Sequence, residues 1–373
     1  MKLSKLGMGA MRLPTDENGI DHKKAEEIID YVYKNGVNYF DTAYIYHGGE
    51  SEVFLGKALA KYPRDSYYIA DKFNATVNPD YAAQFAEQLS RLNSEHIDFY
   101  MYHGVQDVYI EKLAASSSLE YFESQKAESK IKNLGFSFHG TPDGLRRMFA
   151  LRNWDFVMLQ LNYFDWLYGE GKTLYDIASA KNIPIMVMEP LRGGKLAELT
   201  PEAAAVLKEA DPHNSIASWF MRWLMTLPDV SVVLSGMTTL DQAQDNINTF
   251  FNEKPLNENQ QAILKKACGL YRPTVAVACT DCRYCTDDCP QNLDIPRLVG
   301  IYNEVKFGGM WRVSFLNALS KNKRPKDCTA CSLCVERCPQ NLDVPGYFKE
   351  LADICEQNEI RLSSMKKETV KAR

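Results

Sequence analysis

The sequence predicts an α/β protein in two parts, a (β/α)8 TIM barrel followed by a small cysteine-rich C-terminal domain. Three observations lead there. Short runs rich in β-branched and aromatic residues alternate with longer amphipathic stretches, as a parallel sheet with crossover helices requires. Eight such pairs fit within roughly 250 residues, the usual size of this barrel. Beyond them, eight of the ten cysteines fall into two copies of one spaced motif. A chain of 373 residues can bury one large core and carry an appendage. We expect domains at 1–270 and 271–373.

In chain order, the first strand is expected near Leu6 to Met11. Ala25, Ile28, Ile29 and Val32 recur at helical spacing and form one apolar face, with Asn35-Gly36 as the stop. The second strand spans Asn38 to Ala43. After it, Val53, Leu55 and Leu59 form a helix whose first turn holds Glu50 and Glu52, acids that suit the positive end of its dipole. Further strands are expected at Tyr67 to Lys72, Ile97 to Tyr102, Ile131 to Phe138, Phe156 to Leu161, Pro184 to Met188 and Val230 to Ser235. After Asn246 the pattern changes. A polar stretch precedes a helix ending near Leu270, and a linker runs from Tyr271 to Ala278.

Net charge is -5, with 24% charged and 45% hydrophobic residues, so disorder and a polyanionic partner are both disfavoured. Nucleic acid is not an expected partner. No run reaches the roughly 18 to 20 apolar residues of a membrane span, and Met1 to Ala10 lacks a signal-peptide core. A cytoplasmic protein that does not enter a membrane is expected. In that setting ten cysteines point to metal or redox chemistry rather than disulfides.

TIM barrels place their chemistry in the loops at the C-terminal strand ends. Asp41 and Tyr46 follow the second expected strand, Lys72 ends the third and His103 follows the fourth. A phenol has an ordinary pKa of about 10 and is a poor acid–base group near neutrality unless a cation favours the phenolate. Lys72 would supply that cation. Asp41 would hold the lysine, and His103 would donate a hydrogen bond to a substrate oxygen or relay a proton. Each residue alone is more often structural; four at successive strand ends make a site.

With Phe40-Asp41-Thr42-Ala43-Tyr44-Ile45-Tyr46, Lys72 and His103, the chain from about Leu6 to Asn246 resembles the aldo-keto reductases, whose four catalytic positions these residues occupy. The resemblance implies hydride transfer between a nicotinamide cofactor and a small carbonyl or alcohol substrate, with Tyr46 as general acid/base. It also implies a cofactor shelf. Ser137, Gln160 and Asn162 would bind the nicotinamide amide. Met188, Pro190, Leu191 and Gly193, within Met188-Glu189-Pro190-Leu191 and Arg192-Gly193-Gly194, would strap the pyrophosphate. Gly236, Met237, Gln242, Asp245 and Asn246 would hold the adenosine end. Met188 stands where the family often has a stacking aromatic, and no basic residue lies near Gly236 or Gln242, which leaves NADP and NAD both open. Tyr44 and Trp166 are expected to wall the substrate pocket.

The cysteines read Cys279-x2-Cys282-x2-Cys285-x3-Cys289-Pro290 and Cys328-x2-Cys331-x2-Cys334-x3-Cys338-Pro339, each matched pair 49 positions apart. This is the bacterial ferredoxin spacing for 4Fe-4S clusters and a poor zinc signature. A ferredoxin-like iron-sulfur domain with two 4Fe-4S clusters is therefore expected. Where two clusters share such a repeat, the fourth cysteine of each motif serves the other cluster. The ligand sets are then Cys279, Cys282, Cys285 with Cys338, and Cys328, Cys331, Cys334 with Cys289. Barrel and repeat together resemble the branch of the aldo-keto reductases with a ferredoxin-type domain, of which the run from Met188 to Leu196 is characteristic.

Nicotinamide moves an electron pair as hydride, whereas each cluster moves one electron. An external electron donor or acceptor protein is one expected partner. A flavin would split the pair, but no dedicated flavin site is visible. Two other readings stand beside the leading one: a cluster-fed reductase that does not use nicotinamide, and a non-catalytic redox sensor or electron carrier.

Overall fold

The computed structural model describes residues 2–275, 277, 279, 283, 285, 286, 288–320, 322–338 and 342–371. It divides into two compact units, Met1–Glu198 with Ala205–Leu264, and Leu199–Ala204 with Lys265–Arg373.

In the first unit the strands are β1 (Leu6–Gly9), β2 (Thr15–Asp16), β3 (Gly19–Ile20), β4 (Tyr39–Asp41), β5 (Tyr68–Phe73), β6 (Ile97–Val105), β7 (Ile131–Phe138), β8 (Phe156–Gln160), β9 (Ile185–Met188) and β10 (Val230–Ser235). Eight of them close a parallel barrel in the order β1-β10-β9-β8-β7-β6-β5-β4. The expected eightfold alternation is this barrel. The short β2–β3 hairpin is an addition, with strands too brief to show a period.

Alternate strand positions point inward and pack as one cluster: Tyr39, Ala70, Phe99, Met101, Phe156, Met158, Met186, Val232 and Leu234. Burying each of the larger side chains contributes about 1.5–3 kcal/mol. Gly135 is required by close approach, since a Cβ there would stand 2.6 Å from the Phe156 ring and carbonyl. Helix α1 (His22–Lys34) starts at Asp21, whose carboxylate accepts from the Lys24 amide, and it buries Ala25, Ile28, Ile29 and Val32 as the periodicity predicts. Helices α2 (Glu50–Leu59) and α3 (Tyr81–Arg91) follow β4 and β5.

Two boundaries differ from expectation in ways that matter. β6 continues through Val105, so His103 lies inside the strand, at a register irregularity between Tyr102 and Val105 where Gly104 takes φ 61°. Such an irregularity re-aims a side chain. The helix expected to stop near Leu270 spans Glu258–Val275 and contains Pro273.

In the second unit, helices Ile295–Gly308 and Val344–Lys371 contribute to a core of Leu293, Ile295, Leu298, Val299, Ile301, Tyr302, Val305, Leu316, Val344, Phe348 and Leu351. Cys285 and Cys334 are buried in the same core. Among the described residues, no helix is long and apolar enough to cross a membrane.

Candidate active site

Asp41 ends β4, and Lys72 sits on the neighbouring β5, whose Ala70 pairs with Asp41. Two residues further along β5, the Lys72 side chain reaches back across the barrel mouth. Its Nζ donates to Asp41 Oδ1 at 2.5 Å and to the Thr42 carbonyl at 2.5 Å. Both side chains are enclosed, 2% exposed for Lys72 and 4% for Asp41. Tyr46 opens the tight turn Tyr46–Gly49, where His47, Gly48 and Gly49 take φ 50°, 65° and 95° and bring the chain into α2. That turn sets the Tyr46 ring 4.8 Å from Lys72 Nζ. The His103 imidazole meets the same ring edge-on, with centroids 5.8 Å apart.

Burial opposes the Lys72 ammonium, but Asp41 and Tyr46 outweigh it and raise its pKa. Burial also raises the Asp41 carboxyl, against the pull of Lys72. The two directions oppose one another as statements about the pair. The short contact and the extra acceptor at Thr42 favour the ionised form. Burial raises the Tyr46 phenol above its ordinary value, and the Lys72 charge offsets only part of that rise. Burial pushes His103 well below the ordinary histidine value, and Lys72 and His139 add to this. Tyr46 and His103 keep some surface at the mouth. A neutral His103 can donate a hydrogen bond but holds no second proton to pass on.

A sign follows for stability. An unfolded histidine titrates near 6.5, whereas folded His103 stays neutral below that pH. The unfolded chain then binds more protons, so stability falls as pH drops through about 6.5 towards the folded pKa, by at most about 1.4 kcal/mol per pH unit for this group. His103→Asn is expected to flatten that part of the slope in urea unfolding; an unchanged slope would refute the assignment.

The expected cofactor shelf is arranged around a residue the sequence reading missed, Asp165. Gln160 Nε2 and Asn162 Nδ2 donate to Asp165 Oδ2 at 2.8 and 2.7 Å, and Arg192 Nε donates to Oδ1 at 2.8 Å. Asn162 is fully buried and caps the helix Tyr163–Tyr168. Ser137 is buried too, accepting from the Gly104 amide at 2.7 Å. Gln242 caps the helix Leu240–Phe251 in a capping box with Thr239. Asp245 accepts from Ser215 at 2.7 Å, Asn246 donates to Ser235 at 2.9 Å, and Met237 is fully buried. In this structure these side chains hold the shelf itself. Met188 ends β9 against the barrel core, Pro190 is buried and Leu191 half-buried.

The accessible part of the shelf is backbone. Gly193 and Gly194 (φ 70° and 102°) and Gly236 are exposed. A second missed residue joins them: a Cβ on Gly193 would lie 3.1 Å from Arg12 Nη2, and one on Gly236 the same distance from the Arg12 side chain. The exposed Arg12 side chain thus lies across both glycine segments, its aliphatic stem against Gly236 and its guanidinium against Gly193. Asp41 Oδ2 and His103 Nδ1 are buried at the mouth without hydrogen-bond partners. Open glycine backbone beside a guanidinium fits an anionic ligand.

Tyr44 and Trp166 are packed elsewhere. The Tyr44 hydroxyl donates to Glu87 at 2.7 Å with Arg91 over its ring, and Trp166 meets Tyr175 and Trp223 edge-on. Neither joins the tetrad by a hydrogen bond or ring contact among the described residues.

In the second unit, Cys289, Cys328, Cys331 and Cys334 line one small cavity, walled by Leu293, Ile295, Val344 and Phe348. This is the second expected ligand set. Ala330 and Ser332, at φ 54° and 62°, bend the loop around the cavity, and the Leu293 amide donates to Cys289 Sγ at 3.5 Å. Arg283, the repeat-mate of Ser332, takes φ 65°. Burial pushes the Cys334 thiol up to about 11, with Cys328, Cys285 and Cys331 adding to it. So dense a thiol set ionises readily only around a cation. Among the described residues no three His, Cys, Asp or Glu side chains converge as ligands of one ion. Four thiols in the ferredoxin spacing around one apolar-walled pocket are the donor set of an iron-sulfur cube. The residues fit a 4Fe-4S cluster. Of the other set, Cys285 is buried beside Cys334, Cys279 and Cys338 are partly buried, and Cys282 lies outside the described residues.

The profile of the Aldo/keto reductase family matches residues 5–268, and that of the 4Fe-4S dicluster domain matches 278–342. "Probable aldo-keto reductase 1" of Glycine max is 29% identical over 304 residues, covering 70% of this chain and 86% of that protein. The holo form of the Bacillus halodurans aldo-keto reductase AKR11C1 superposes with a TM-score of 0.59 at 25% identity, over 71% of this chain and 92% of that one. A Klebsiella pneumoniae aldo-keto reductase in complex with NADPH shares the fold, with TM-score 0.60 at 17% identity over 72% and 91% of the two chains.

Proposed function

Because this chain belongs to the aldo/keto reductase family and carries a 4Fe-4S dicluster domain, we propose that it reduces a small carbonyl compound reversibly, using a nicotinamide coenzyme and a proton from Tyr46. The observation that carries this reading is Lys72, held 2.5 Å from Asp41 with its charge 4.8 Å from the Tyr46 ring. The buried cation lowers the cost of leaving negative charge on the phenol oxygen, so Tyr46 can give up its proton as the carbonyl oxygen becomes an alkoxide. Asp41 fixes the lysine. Neutral His103 donates an N–H to the substrate oxygen, a contact that strengthens as charge develops there.

The nicotinamide would supply hydride and the clusters single electrons. On this reading 1–270 is the hydride-transfer domain and 271–373 the electron-transfer domain, exchanging electrons with an external carrier in the reducing cytoplasm, where thiol-rich sites persist. The coenzyme phosphates would lie on Gly193, Gly194 and Gly236, with Arg12 as their cation. Arg12→Ala is expected to weaken NADPH or NADH binding about 10- to 100-fold, the value of one charge-assisted hydrogen bond. Fluorescence titration reads it, and an unchanged Kd removes Arg12 from the site.

The test of the whole reading is an anoxic titration of the purified holoprotein with NADPH and, separately, NADH, followed optically and by EPR, with aldehydes and ketones then added. Carbonyl-dependent coenzyme oxidation supports it. Tight coenzyme binding without turnover across a broad carbonyl panel would favour a sensor instead.

A further inference from the structure

Behind the tetrad lies a second polar cluster that carbonyl reduction does not use. Asp71 precedes Lys72 on β5, so its side chain leaves the opposite face of the strand. Asp71 and Glu52 of α2 are both fully buried. Glu52 accepts from Gln88 Nε2 at 3.0 Å and from Arg91 Nη1 at 2.8 Å, both on α3. Gln88 also donates to the Lys72 carbonyl at 3.1 Å and accepts from the Tyr100 hydroxyl at 2.6 Å. Asp71 Oδ1 accepts the Lys72 amide at 2.8 Å. Asp71 Oδ2 is buried with no hydrogen-bond partner, and the Glu52 carboxyl is held beside this stretch of β5 by the same Gln88 Nε2 that donates to the Lys72 carbonyl. Two carboxylates repel there; one proton between them makes a hydrogen bond.

We propose that Asp71 and Glu52 share one proton in the resting protein, carried on Asp71 Oδ2 and donated to Glu52, and that this neutral acid leaves Asp41 as the counter-charge of Lys72. Glu52 is the carboxylate of the pair, because Arg91 and Gln88 already satisfy it as an anion. Burial and the Glu52 charge push Asp71 well above the carboxylate range. The charged and titratable groups facing the pair are Arg91 on α3, Tyr100 on β6, Lys72 on β5 and, across the strand, Asp41 and Tyr46. Neither cation is available to an ionised Asp71: Arg91 is paired with Glu52 and Glu87, and Lys72 with Asp41. An ionised Asp71 would also draw on the field of Lys72 and raise the Tyr46 phenol. The two acids are therefore positioning residues that act through Lys72. This functional half rests on Tyr46 as proton donor; the shared proton does not.

Infrared spectroscopy of the anoxic holoprotein labelled with 13C-aspartate tests the proton directly at neutral pH. The expected result is the C=O stretch of an un-ionised, label-shifted aspartic acid that is lost in Asp71→Asn. No such band, or one that survives the substitution, overturns the proposal. Should Asp71→Asn not fold, Glu52→Gln replaces the acceptor and is expected to shift the band; an unshifted band overturns the pairing. The pH profile of kcat/KM tests the consequence. Asn is neutral like the protonated acid, so the apparent pKa is expected to move by less than about 0.3 unit, whereas a fall of about one unit would mean that native Asp71 was charged. Turnover surviving in Tyr46→Phe would remove the proton-donor reading and leave the infrared result standing, so the two failures are distinguishable.

Discussion

Replacing Tyr46 with phenylalanine is expected to lower kcat/KM for carbonyl reduction by about 10²- to 10⁴-fold, the range of a positioned general acid. The ring and its edge-on contact with His103 remain, so only the hydroxyl is lost. Coenzyme affinity should stay within about twofold, because the proposed phosphate contacts lie on Arg12 and the glycine segments. A loss in kcat with coenzyme Kd preserved is the signature of an interaction made only in the transition state. The residual rate should also lose the pH dependence contributed by the phenol, since the titrating group is gone. Turnover within tenfold of the native rate would end the assignment and shift attention to the cluster-fed reading.

The second large effect is expected at Cys334. Cys334→Ser should remove about half of the bound iron and sulfide, since one of two clusters loses a ligand. Serine is smaller and harder than a thiolate, and this position is 8% exposed, so an outside ligand has little access. Because Cys334 belongs to the apolar core of the second unit, the loss should be structural as well as spectroscopic. Thermal unfolding of the full chain is expected to show the second unit melting earlier and the barrel unchanged. Cys331→Ser, at an exposed position, should cost iron with less destabilisation. Full iron content in Cys334→Ser would refute the crossed ligand set of Cys328, Cys331, Cys334 and Cys289.

The barrel was legible because parallel strands buried on both faces leave long apolar runs, and β7 and β10 were read to their observed ends. The tetrad was legible because strand ends put residues distant in sequence side by side; Asp41 and Lys72 are 31 positions apart and meet at 2.5 Å. Asp165, Arg12 and the Asp71–Glu52 pair were not, since each matters through a partner on another element that no local pattern names. A signal was present for two shelf residues. Thr239-x-x-Gln242 is a capping box in sequence, and Asn162 stands three residues before Asp165 in the position of an N-cap. A polar residue opening a helix is often spent on the helix.

The placement of Cys285 and Cys334 inside one apolar core gives the second unit no way to lose its metal quietly. When oxygen breaks a cluster, the wall of Leu293, Ile295, Val344 and Phe348 loses what it closes on, and greasy surface opens next to oxidisable thiols. The stability of the second unit in air then follows the integrity of its inorganic part.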